Sequence, residues 1–283
     1  MATDYAIYRQ LVTQLMQGEE VLPSLPSITF QIRAAIHAPN TTNATLEQLI
    51  SRDPSLSALL MKHASCALYK QGRPAQNLRD VIALLGMKQI DNITMAHSLK
   101  SLFILYSPSY KRIFVEAWRR LVQKAATTSV MATHVGNIPP EHAILASLLS
   151  EVGSLVLLSV FRNDIEPPNP EYYGRLCKEF SKSLGVLLLK HWKVDEEYIQ
   201  VIRQAGEWQT RNSPKIEVID LVNLSLHQAI LEREPEAAIP PLVELPAYQK
   251  LPMPFGRLNT RGRLCLIDDF QTDITNVART LRS

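Results

Sequence analysis

The side chains able to hold a metal or attack a substrate are few and scattered. The seven histidines stand at positions 37, 63, 97, 134, 142, 191 and 227, and none adjoins an aspartate. His134 and His142 are the two nearest, but the Pro139-Pro140 break separates their helices, and a metal there needs a third ligand on the same face. They read as ordinary surface or hydrogen-bonded histidines. Asp53 and Asp80 stand where helices start, and Asp91 is a lone polar position inside a helix, so no carboxylates pair for acid–base work. Cys66, Cys177 and Cys265 lie far apart with no CxxC, as expected of reduced, buried thiols in a cytosolic protein. Nucleophile elbow, P-loop, GxGxxG and HExxH motifs are all absent.

The elements that would position such groups are helices. Asp53-Pro54 starts one, with Asp as N-cap and Pro at the position whose missing N–H is harmless. Ser107-Pro108, Asn169-Pro170 and Ser213-Pro214 repeat the device, Asn77 with Asp80 is a further cap, and Thr45-Leu46-Glu47-Gln48 reads as a capping box. Apolar residues recur at helical spacing, as in Leu56, Leu59 and Leu60, or Val81, Ile82, Leu84 and Leu85. No alternating strand pattern persists, and no fixed repeat period emerges. The expected fold class is all-α, a bundle of packed helices.

Composition sets outer limits. The 283 residues allow one large domain or two modest ones. At 46% hydrophobic and 20% charged, the chain builds a packed core and is not disordered. The charge of +3 is too small to mark an electrostatic nucleic-acid binder, and Arg119-Arg120 and Lys111-Arg112 read as a solvated helix face. Ala143–Phe161 is the most apolar stretch, interrupted by Glu151 and Gly153, which argues against a membrane span. Asp4 and Tyr5 stand where a signal peptide is basic and then apolar. A cytoplasmic protein is expected.

Six prolines between Pro235 and Pro254 predict a segment running extended over the surface. After it, Leu264, Ile267, Phe270, Ile274, Val277 and Leu281 predict a last helix that docks, the alternative being a short partner-binding helix on a flexible arm. The expected organisation is an N-terminal helix over 1–20, a domain over 21–233, and a Pro-rich segment with its helix over 234–283, packing on that domain.

An ordered set of short motifs then carries a resemblance. Val21-Leu22-Pro23-Ser24-Leu25-Pro26 is followed by Leu46 to Ile50, by Ser51-Arg52-Asp53-Pro54-Ser55-Leu56-Ser57, and by Ala64-Ser65 with Tyr69. Asn77-Leu78-Arg79-Asp80-Val81-Ile82 and Leu84-Leu85-Gly86 complete it. From about Leu22 to Ile230 the chain resembles the HDOD family, the HD-related output domain of bacterial signalling proteins. The positions Leu22, Pro23, Leu25, Pro26, Asp53, Pro54, Leu85 and Gly86 carry the motif and read as structural.

The resemblance implies an all-helical fold related to the HD phosphohydrolases, in which histidines and an HD dyad hold a divalent metal that activates water. Matched to that pattern, Arg120 stands for the first histidine and Ser150-Glu151 for the HD dyad. Ser181 and Ser183 take places that often hold His and Glu, and Ala205-Gly206 replaces a His-His pair. A guanidinium has no lone pair for a cation, and Ala and Gly offer no ligand at all. No catalytic residue, metal ligand or cofactor is therefore expected, and an Arg120–Glu151 ion pair is expected in the metal's structural place.

Three functions follow as expectations. The first is a non-catalytic signalling module that acts by binding a partner signalling protein, with neither nucleic acid nor membrane involved. The second is a metal-dependent phosphohydrolase. The third is a sensor whose vacated pocket takes a nucleotide or another anion near Arg120.

Overall fold

A computed structural model of the chain describes residues 8, 9, 12, 13, 25–64, 75–101, 108–161, 168–209 and 213–282. Regular structure among these residues is helical, with no strand save an isolated bridge between Leu258 and Leu264. The expected all-α class is the one observed. Of the expected N-terminal helix only Tyr8, Arg9, Val12 and Thr13 are described, and all are helical. Leu22, Pro23, Ser65, Cys66 and Tyr69 lie outside the described residues.

The chain forms two compact units, Ser24–Leu105 and Tyr106–Ser283 with Met1–Pro23. Their boundary falls within the span 21–233 read above as one domain, because each unit closes an apolar core of its own.

The smaller unit holds α1 (Ser27–Ile36), α2 (Asn43–Ile50), α3 (Pro54–Ala64) and α4 (Leu78–Ser101). Ile32, Leu46, Ile50, Leu56, Leu60, Val81 and Ile90 meet in its core. Asp53 caps α3 by accepting from the Leu56 N–H at 2.9 Å, and Asn77 caps α4 by accepting from Asp80 N–H at 2.8 Å. The cap of α2 is Thr42, which accepts from Thr45 N–H, so that helix starts before the expected box at Thr45. Helix α4 kinks at Gly86, just after buried Leu85, with φ 76° and ψ 162°, a conformation open essentially to glycine alone. Asp91 is not a lone polar group. It takes a hydrogen bond from the Arg33 Nε at 2.8 Å, both side chains being nearly out of water.

The larger unit runs through α5 (Pro108–Val135), α6 (Pro140–Leu149), α7 (Val152–Val160), α8 (Pro170–His191), α9 (Glu196–Gln204) and α10 (Val218–Arg233). It ends with a 3-10 turn (Leu242–Glu244), α11 (Pro246–Gln249), α12 (Cys265–Asp269) and α13 (Gln271–Arg282). Asn169 caps α8 as expected, accepting from Glu171 N–H at 2.8 Å. Ser213-Pro214 starts no helix. Glu217 does, in a reciprocal capping box with Asp220.

Two expectations for the C-terminal part are corrected. The Pro-rich segment does not run extended over the surface: it folds into short turns that bury Leu242, Leu245 and Ala247 in the core with Val122 and Leu221. The last helical run breaks at Phe270 into α12 and α13. Helix α13 packs on α5 with Ile274 and Ala278 buried, and the Lys250 Nζ meets the buried Asp220 carboxylate at 2.9 Å. The stretch Pro140–Leu158 is long and apolar enough to cross a membrane by length and composition, yet 83% of it is buried inside the protein.

Candidate functional site

Helix α5 packs against α6 and α10, and this packing carries one of its lysines out of water. Lys124 follows Leu121 and Val122 and precedes Ala125 and Ala126, all buried, so its stem lies on the helix's inner side. Its side chain is 2% exposed. The ammonium donates to the Ser150 Oγ at 2.9 Å and to the Glu151 Oε1. Ser150 is the C-cap of α6, and its hydroxyl donates onward to the Ser147 carbonyl at 2.8 Å. Glu151 occupies the turn into α7, with its side chain 42% exposed.

The turn is fixed from both sides. Ser154 donates from its N–H and its hydroxyl to the Glu151 carbonyl. Behind it, α7 and α8 touch backbone to backbone: a Cβ on Gly153 would lie 1.8 Å from the Ser181 carbonyl oxygen. Gly153 and Gly185 therefore let α8 approach the turn that presents Ser150 and Glu151.

Arg120 precedes Lys124 by one helical turn but is 54% exposed, and it lies 3.7 Å from Glu116. The expected Arg120–Glu151 pair is replaced by Lys124–Glu151, because Lys124 and not Arg120 faces the end of α6. Arg120 and Glu151 do line one cavity of about 450 Å³, bounded also by α10. The other positions matched to the metal site bond elsewhere. The Ser181 hydroxyl donates to the Cys177 carbonyl and the Ser183 hydroxyl to the Phe180 carbonyl, each within α8. Ala205 is buried at the end of α9, and Gly206, at φ 78°, donates its N–H to Asn223 Oδ1 at 2.8 Å.

Neighbouring groups are held neutral. The Tyr173 hydroxyl donates to the Ser154 carbonyl at 2.7 Å. Burial pushes this phenol well above its usual range and Cys177 beside it adds to the effect, against the pull of the Ser154 side chain and the Arg120 charge. Burial also pushes the Cys177 thiol up to about 11, and the Glu151 charge adds to that against the Tyr173 bond. A thiol so placed is a poor nucleophile near neutral pH.

This donor set does not fit a divalent cation. Such an ion needs several oxygens or neutral imidazoles converging on one point. Among the described residues the Lys124 ammonium meets one carboxylate and one hydroxyl, and it competes with any cation for them. Among the described residues no three of His, Cys, Asp and Glu come together. Sequence reasoning missed Lys124, although a lysine among Leu121, Val122, Ala125 and Ala126 is the signal of a cation on an otherwise apolar face.

Known proteins share this architecture. A candidate metal-dependent phosphohydrolase from Shewanella amazonensis SB2B superposes with a TM-score of 0.72 at 20% identity, over 99% of this chain and 100% of the other. An HDOD domain protein of unknown function from Geobacter sulfurreducens gives 0.62 at 16% identity, over 97% of each chain. A candidate signal transduction protein from Marinobacter aquaeolei VT8 gives 0.57 at 18% identity, over 100% of this chain and 66% of the other. An uncharacterized protein of Treponema pallidum (strain Nichols) is 21% identical over 209 residues, which are 69% of this chain and only 39% of the relative. The HDOD domain itself matches residues 22–207, a span that takes in α5 with Lys124 and the Ser150-Glu151 turn. The chain belongs to the HDOD family.

Proposed function

We propose that this chain is a non-catalytic, cytoplasmic signal-transduction module that acts by binding a partner signalling protein. The observation that carries the reading is the Lys124 ammonium, held by Ser150 and Glu151 at the positions matched to the HD dyad. A protonated amine there fills the structural role of a cation and repels a second one. It cannot polarise a phosphate ester through an open coordination site or generate a bound hydroxide. What the fold retains is a rigid helical surface, and the candidate signal-transduction role of the Marinobacter protein supports a relay function for it.

Turnover tests the first half of this reading. The full chain, supplied with Mn²⁺, is assayed on a generic phosphodiester and a nucleotide panel beside a Lys124→Met/Glu151→Ala variant. Equal, background rates are expected. Mn²⁺-dependent turnover that the variant lacks would overturn the reading. The second half is tested by crosslinking in the source cell: the expected result is recovery of one signalling protein in stoichiometric amount. Recovery of the chain alone counts against it.

A further inference from the structure

The Lys124–Glu151 pair forms only one wall of its cavity. The remaining space, about 450 Å³, lies within the range of pockets that enclose small organic ligands. Leu226, Ala229 and Ile230 of α10 and Ile267 of α12 give it an apolar wall. Its charged lining is balanced, with Arg120, Lys124 and Arg233 against Glu116, Glu151 and Glu232. Such a lining gives no net field to concentrate an anion or a cation.

Gln228 singles this cavity out. It lines the space, is 3% exposed, and among the described residues neither its amide oxygen nor its amide nitrogen has a hydrogen-bond partner. A buried amide left unmatched costs about 1–3 kcal/mol, a loss that a methionine of similar length would not incur. A primary amide offers an acceptor beside a donor, and its natural complement is a donor beside an acceptor. Nucleobase edges and carboxamides both present that pair, and a glutamine reads a base edge in this way.

We propose that this cavity binds a small uncharged molecule with an amide-like edge, which pairs with Gln228 while its flat body rests on the apolar wall of α10. This is a ligand site separate from partner docking, and either can fail while the other stands.

Calorimetric titration of the full chain tests it. One arm uses adenosine, guanosine and uridine, a second uses nicotinamide and L-asparagine amide, and a third uses the nucleoside monophosphates. At least one probe of the first two arms is expected to bind with Kd below about 1 mM. The arm that binds identifies the source of the edge. Gln228→Met should weaken that binding by about tenfold or more, while its unfolding midpoint in urea stays at or above that of the unaltered chain. Should that variant misfold, Ala229→Phe, at an exposed position on the cavity wall, is expected to abolish binding by filling the space. The proposal is overturned if no probe of the first two arms binds, or if the monophosphates bind about tenfold tighter than their nucleosides. It is equally overturned if binding survives Gln228→Met, or Ala229→Phe where that variant stands in.

Discussion

Removing Glu151 and removing Lys124 should have very different consequences. Glu151→Ala leaves an ammonium whose side chain is 2% exposed, with only the Ser150 hydroxyl to accept from it. At hydrogen-bonding separation and an effective dielectric near 20, the lost attraction is about 6 kcal/mol before solvation is counted. Glu151 is itself 42% exposed, so water can follow the departing carboxylate. That places the net cost at about 2–3 kcal/mol, below the value for a wholly buried pair. Lys124→Met strands nothing, because Glu151 can turn to solvent and the thioether keeps the packing of the lysine stem. Its cost should be about 1 kcal/mol or less, and the double variant should match it, for a coupling energy equal to the Glu151→Ala loss, about 2–3 kcal/mol. The three tryptophans, Trp118, Trp192 and Trp208, all lie in the unit that contains Lys124. Urea unfolding followed by tryptophan fluorescence therefore reads that unit alone. Equal losses from the two single variants, or a Glu151→Ala loss under about 0.5 kcal/mol, would mean that no buried charge is stranded.

Four further outcomes are expected. Gly153→Ala should destabilise the larger unit by about 3 kcal/mol or more, since its Cβ would fall 1.8 Å from a backbone oxygen that cannot swing aside; the same fluorescence titration measures this. Gly86→Ala meets no atom within 4 Å, so it should cost only the backbone strain at φ 76°, about 1–3 kcal/mol, seen as a lower thermal midpoint by circular dichroism. Asp220→Asn leaves the Lys250 ammonium, 10% exposed, without its carboxylate, and should hasten proteolysis within 235–283 compared with the unaltered chain. His227 donates from its Nε2 to the Pro240 carbonyl at 2.8 Å, and burial lowers its pKa against that bond's opposing effect. The unfolded chain then binds the His227 proton first. Its contribution is whole above about pH 6.5 and is lost as the pH falls from there through the folded value, so the thermal midpoint should drop with acid less in His227→Gln.

Much of this architecture can be read from local chemistry. Asp53-Pro54, Asn77 and Asn169 announce helix starts because a capping oxygen and its N–H partner lie within three residues of each other. Asp91 and the Pro-rich segment are misread, and Lys124 is missed, for the opposite reason. The partner of Asp91 is Arg33, 58 residues away, and that of Lys124 is 27 residues away, so neither pairing leaves a local pattern. Prolines between 235 and 254 do preclude a long helix, but they do not prevent Leu242 and Leu245 from turning inward. At the candidate site, Glu151 does pair with a cation of α5, but with Lys124 and not with Arg120. Arg120 and Lys124 are one helical turn apart, and a small rotation of α5 about its axis decides which of them faces inward.

On the proposed reading, the Lys124 ammonium bound by Ser150 and Glu151 stands in place of a divalent cation. Electron paramagnetic resonance of Mn²⁺ titrated with the full chain addresses it most directly, since the free ion's signal is lost on binding. The signal should stay at full strength in the unaltered chain and in Lys124→Met alike, one carboxylate being too few to capture the ion. Loss of the Mn²⁺ signal on adding stoichiometric unaltered chain, restored by Glu151→Ala, would contradict it.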